Sequence, residues 1–152
     1  MINTLLDQLQ QTRQNMLTLL AQHSFEQLNL IPVSFNNNLI WNAAHVLVTQ
    51  QLLCYRLSGI KGYIDDSIIE SYRKGTRPEK VVSDGFIIEM KEQLVYTGDK
   101  IREDYHKDIF KEYKSYLTSF GTEITSIEDA IAFNNIHEGM HLGTMMAMRK
   151  LV

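Results

Sequence analysis

Apolar residues recur at three- and four-residue steps from the first turn of the chain. Leu5, Leu6, Leu9, Met16, Leu19 and Leu20 are separated by Asp7, Gln10, Gln11 and Gln14. That period places the leucines on one side of a helix from Ile2 to about Gln22. The two prolines, Pro32 and Pro78, fall in connections. "LNLIPVSFNNN" reads as a loop, with Pro32 biasing Ile31 away from helical dihedrals. A second helix runs from about Asn38 to Ser58 and stops near Gly59, the residue type suited to a helix C-terminus. Its stripe is Trp41, His45, Val48, Leu52 and Tyr55. The chain is then irregular to Ser83, except that "DDSIIESYRKG" makes a short helix with Asp65 or Asp66 near its cap.

A third helix starts near Ser83 and carries Ile87, Met90, Leu94, Ile101 and Tyr105 on one face. Gly98 interrupts it, because a mid-helix glycine costs about 1 kcal/mol relative to alanine. "HKDIFKEYKSYLTSFGTEI" is mixed, either extended pieces or the frayed end of that helix. The fourth helix has the clearest pattern. "TSIED" offers a capping box between Thr125 and Glu128. Ile127, Ile131, Asn134, His137, His141, Met145 and Met148 then line one face, and Arg149 and Lys150 fall in the last turn, where the macrodipole favours cations. Four amphipathic helices with few strand signals predict an all-α four-helix bundle with a short extra helix between its second and third members. At 152 residues it is expected to be one domain over residues 1–152.

Composition changes this picture little. Hydrophobic residues make up 44% and charged residues 22%, the balance of an ordinary globular chain. A net charge of −3 and the lack of a Lys/Arg run argue against a nucleic-acid partner. No apolar run approaches the ~18 residues of a membrane span, and the first residues lack the pattern of a secretory signal. Cys54 is the single cysteine, so no internal disulfide forms, and a reducing, cytoplasmic setting is expected. The methionines read as core filler and "KIREDYHKD" as a solvated helix face.

The chemistry concentrates in the histidines. His137 and His141 stand four apart on the fourth helix, so they stack on one face about 5–6 Å apart at Cβ. Two imidazoles so placed can share an ion with metal–nitrogen bonds of ~2.0–2.1 Å. His45 lies on the inward stripe of the second helix and is the best-placed third ligand. Three nitrogens leave a fourth position open, the arrangement of a catalytic site. Against this, a lone histidine on an apolar face is usually a core residue with a hydrogen-bond partner. His23 and His106 read as exposed and carry no role. Glu138 is a candidate catalytic base or orienting group, or else a solvent-facing residue, since it points about 100° away from His137 on a helix. Asn42 and Asn134, each three residues before a candidate ligand, can fix an imidazole tautomer or merely satisfy backbone groups.

"HEGMH" also spells H-E-x-x-H, the zinc-peptidase helix. The wider pattern does not follow. Where one peptidase group needs H-E-x-x-H-x-x-G-x-x-H, the glycine comes one place early, at Gly143, and the last position is Ala147. The few residues after that offer no glutamate to serve as the other group's third ligand.

Two segments, "NNLIWNAAHVLVTQQLLCYRLSG" and "AFNNIHEGMHLGTMMAMRK", together resemble the DinB/YfiT-like metalloenzyme superfamily. The first matches an N-S-I-x-W-x-x-x-H-like run as Asn38-Leu39-Ile40-Trp41-Asn42-Ala43-Ala44-His45. The second matches H-x-x-x-H followed by glycine and a basic residue, as His137, His141, Gly143 and Arg149. The resemblance implies a four-helix bundle holding a divalent metal, zinc or nickel, on His45, His137 and His141, and frequent homodimers. It also implies, for some members, S-transferase activity with a low-molecular-weight thiol such as bacillithiol, mycothiol or glutathione, acting on a small-molecule substrate. Other members are isomerases or hydrolases. In such a family a glutamate inside the histidine pair needs no peptidase activity. The expected function is therefore a metal-dependent thiol transferase. The rivals are a metal-holding, stress-related bundle without turnover and, less favoured, a hydrolase or peptidase.

Overall fold

The structure is a computed structural model describing residues 1–152. It contains α1 (Ile2–Ala21), α2 (Phe25–Asn29), α3 (Leu39–Gln50), α4 (Asp66–Tyr72), α5 (Asp84–His106), β1 (Tyr116–Leu117), β2 (Glu123–Ile124) and α6 (Ile127–Met148). The fold is all-α apart from one small hairpin, and α1, α3, α5 and α6 are its long members. Helix α1 packs on α5 and α6, and α3 packs on the same two, so each long helix buries its stripe against two others. No helix is long and apolar enough to cross a membrane.

The predicted helices are found, with local differences. The segment read wholly as loop begins inside α2, where Ser24 and Gln27 form a reciprocal capping box. Asn38 caps α3 by accepting from the Trp41 amide at 2.9 Å. The second predicted helix is not uniform. After Gln50 it widens to a π turn over Gln51–Tyr55, tightens to a 3-10 turn over Arg56–Ser58, and ends at Gly59 with φ +69°. The widened turn turns the Gln51 side chain to a neighbouring loop, where Oε1 accepts from the Tyr63 amide at 2.7 Å. Gly62 makes room for it, because a Cβ at that position would lie 2.4 Å from the same oxygen and would push the Gln51 side chain off its bond to Tyr63.

Gly98 does not break α5. It is buried where α5 crosses Leu9 and Arg13 of α1. The mixed segment after α5 forms the β1–β2 hairpin, with Tyr116 opposite Ile124 and Leu117 opposite Glu123. The cap of α6 is shifted one residue from the expected Thr125/Glu128 box. Ser126 is the N-cap and accepts from the Asp129 amide at 3.1 Å, while Asp129 accepts from the Thr125 amide and hydroxyl. Glu128 instead accepts from the Tyr105 hydroxyl. Both residue pairs satisfy the spacing rule, and only the dihedral of Ser126 decides between them.

The buried stripe of α6 is also displaced. Ile127, Ile131, Asn134, Glu138 and Met145 face the core, and the two histidines flank them toward α3.

A candidate metal centre of three histidines

His45 comes from the middle of α3, and His137 and His141 from successive turns of α6. Their candidate ligand nitrogens all lie within 4.8 Å of one another. The ring centroids are 5.1 Å apart for His45 and His137, 4.8 Å for His45 and His141, and 4.5 Å for His137 and His141. With bonds of ~2.0–2.1 Å, two nitrogens on one ion sit about 3–4 Å apart, so only a slight closing of the rings is needed.

Hydrogen bonds assign two tautomers. His45 Nδ1 lies 2.7 Å from the Tyr72 carbonyl oxygen at the end of α4. A carbonyl only accepts, so Nδ1 carries the proton and Nε2 keeps its lone pair. His141 Nδ1 lies 2.8 Å from Asn42 Oδ1. That amide cannot be turned over, because Asn42 Nδ2 donates to the Asn38 carbonyl at 2.8 Å and to Asn37 Oδ1 at 2.9 Å. His141 is therefore also an Nδ1–H tautomer with a free Nε2. The third ring differs, for His137 Nδ1 is buried with no hydrogen-bond partner. Such an orphan costs about 1–3 kcal/mol unless something satisfies it. A cation bound through that nitrogen would satisfy it, and a set of three neutral imidazoles suits zinc-like ions whichever nitrogen His137 offers. The residues present fit a divalent metal.

The electrostatics agree. Burial, followed by repulsion from His141 and His45, pushes His137 down to about 3. Burial and His45 push His141 down to about 4. Burial also lowers His45, although its bond to Tyr72 opposes the shift. All three are neutral near pH 7, which is the form that ligates. Trp41 stacks on His45 at 4.7 Å and 8°, fixing the ring plane.

Glu138 is neither solvent-facing nor bonded to an imidazole. It is fully buried and paired with Arg13 of α1, whose Nη2 donates to Oε1 at 2.7 Å and whose Nε donates to both oxygens. Asn134 Nδ2 adds a third donor at 2.8 Å. Arg13 Nη1 is used by the Leu94 carbonyl and Thr97 Oγ1 of α5. One network thus ties α1, α5 and α6 beside the histidines. Of the two asparagines considered for tautomer control, Asn42 has that geometry, toward His141 and not toward His45, whereas Asn134 serves Glu138. His106 is exposed, while the half-buried His23 is bonded by Nδ1 to the Leu19 carbonyl.

Sequence reasoning missed Tyr72 and Arg13. Tyr72 contributes a backbone carbonyl, which leaves no side-chain signal. Arg13 did leave one: it continues the Leu6, Leu9, Met16, Leu20 stripe of α1, where a charged residue needs a buried counterion.

A family model described as the DinB superfamily matches residues 8–145. The chain belongs to the DinB superfamily. The match spans α1 through nearly all of α6 and so includes all three histidines of this DinB chain. No curated protein matches it.

Proposed function

We propose that this DinB protein is a four-helix-bundle metalloprotein that binds one divalent cation, zinc or nickel, through His45, His137 and His141, and catalyses transfer of a small thiol to an electrophilic small molecule. The observation that carries the metal is the convergence of three neutral imidazoles from two helices, with their candidate ligand nitrogens all within 4.8 Å of one another. A bound divalent ion with an open position supplies Lewis acidity, lowering the pKa of a thiol or of water placed there.

The protein's own groups have defined tasks. The Tyr72 carbonyl and Asn42 hold two Nδ1 protons outward, leaving Nε2 lone pairs for the ion. Trp41 limits rotation of His45. Arg13 and Asn134 hold Glu138, which supports a positioning role for that carboxylate over the base role a peptidase would give it. The thiol is brought in from outside, because burial pushes the only cysteine, Cys54, up to about 12. A cleft of about 240 Å³ lined by Trp41 and Tyr72, with Arg77, Lys80, Glu70 and Glu79 in its wall, lies on the far side of the Trp41 ring that stacks on His45; it is the room for a small substrate next to the centre, although no histidine lines it. The lack of any possible internal disulfide supports a reducing, cytoplasmic setting, and the family resemblance supports a homodimer.

The test is turnover of a thiol-reactive electrophile with bacillithiol, mycothiol or glutathione, in wild type and in His141→Ala. Metal-dependent turnover lost in a folded variant is the expected result. A chain that holds metal but matches the uncatalysed rate with every thiol would be the metal-holding bundle without turnover. Chelator-sensitive proteolysis would restore the peptidase reading.

A further inference from the structure

The outward face of α6 carries no charge for four turns. Helical geometry places Ala132, Ile136, Gly139, Met140, Gly143 and Ala147 on it, opposite the core-facing Ile131, Asn134, Glu138 and Met145. Ile136 and Met140 are 57% and 45% exposed. The patch continues onto the hairpin, where the exposed Phe120 packs edge-on against Phe133 at 5.4 Å. At the other end lie the exposed Met146 and Leu151. Exposed apolar side chains gathered along one helix face in this way suit an interface.

The two glycines carry the argument further. Glycine is among the least favourable residues inside a helix. A Cβ added to Gly139 or Gly143 would meet nothing within 4 Å, so nothing inside the chain requires either one. Close approach of another backbone would.

The order of residues says which backbone. In two antiparallel copies of α6 related by a two-fold axis between positions 139 and 140, Ile136 of each copy falls on Gly143 of the other. Met140 falls on Gly139, and Ala132 on Ala147. At the centre, the large Ile136 and Met140 each meet a glycine. Phe133, with Phe120 beside it, falls on Met146. At the two ends Asp129 falls on Lys150, which makes no ion pair within its own chain. A self-complementary patch of this kind is what a two-fold interface requires. We infer that α6 is the homodimer interface, packed antiparallel on a second copy of itself, with Gly139 and Gly143 as the points of closest approach. The inference rests on the homodimer reading above and deepens it; it is independent of the metal.

Sedimentation equilibrium on the full chain, with crosslinking, tests it. Wild type should be a dimer, and Ile136→Arg should raise its dissociation constant at least about tenfold, since an unpaired charge at the centre of an interface is costly. Met140→Cys should form a disulfide-linked dimer on mild oxidation, whereas Val95→Cys on the outer side of α5 should not; the buried Cys54 does not compete. The crosslink reports even if Ile136→Arg folds poorly. A wild-type monomer overturns both the homodimer and this face. A dimer unaffected by Ile136→Arg and not linked through Met140→Cys overturns the face alone.

Discussion

Asn42 and His141 are separated by 99 positions in the chain, yet the amide oxygen of one lies 2.8 Å from the Nδ1 of the other. The contact joins the first turn of α3 to the last turns of α6 and sets which nitrogen of His141 is free. Asn42→Leu should leave the fold standing and weaken metal binding by about 10–100-fold, as loss of an outer hydrogen bond to a ligand does. Asn42→Asp keeps the acceptor toward His141 but sets its second oxygen against the Asn38 carbonyl and Asn37 Oδ1, so it should retain more binding than Asn42→Leu and less than wild type. Competition titration against a chromogenic chelator measures both; unchanged affinity in Asn42→Leu would remove Asn42 from the site.

Protein purified without a chelator or a nickel column should carry about one ion per chain by elemental analysis. His45→Ala and His137→Ala should each lower that occupancy. Full occupancy in His45→Ala would move the third ligand elsewhere.

The Arg13–Glu138 pair is buried at both ends, 2% and 0% exposed. Removing one partner strands a charge in the core, so Glu138→Ala should lower unfolding stability by about 3–5 kcal/mol. Replacing both, as Arg13→Met with Glu138→Leu, should recover much of that loss. Urea unfolding measures the set; a near-neutral Glu138→Ala would mean the pair is not isolated from water.

Acid should destabilise the metal-free protein through its histidines. Unfolded rings titrate near 6.5, whereas folding holds His137 to about 3 and His141 to about 4, with His45 shifted in the same direction. Above pH 6.5 neither state binds these protons and the effect is nil. As pH falls from there toward about 4, the unfolded chain takes up protons that the folded chain refuses. Stability therefore drops by up to about 1.4 kcal/mol per pH unit for each ring, and levels off once the folded rings protonate. Urea midpoints across this window should show the fall, and His137→Ala should flatten it. A rise in stability on acidification through that window would contradict the assignment.

Gly98→Ala should be tolerated despite its burial. The added Cβ would lie 3.6 Å from Leu9 Cδ2 and 3.7 Å from Arg13, ordinary contact distances. Better helix propensity should then stabilise the chain by about 0.5–1 kcal/mol, read from thermal unfolding. Destabilisation would show that α1 cannot yield there.

The long helices and the three histidines were legible because periodicity is a local signal that packing reinforces. The i, i+4 spacing of His137 and His141 guaranteed their proximity once a helix formed. His45 was legible only as a histidine on an apolar stripe, and its approach to the pair depends on how α3 lies against α6. Glu138 stays open in the sequence between an inward and a solvent-facing reading, because a stripe drawn through the histidines sets it about 100° aside; its burial against Arg13 depends on how α1 lies against α6. The cap at Ser126, one residue from the expected Thr125, shows the same limit.

Local patterns of side-chain size and polarity determined the helices, their inward stripes and the residue types able to hold a cation, since these follow from 3.6 residues per turn and from the donor atoms each side chain owns. Tertiary structure alone decided which groups meet. It aimed Asn42 at His141, set the Tyr72 carbonyl against His45 and closed Arg13 onto Glu138, because contacts between distant segments arise from how whole helices pack, and no short stretch of chain encodes that.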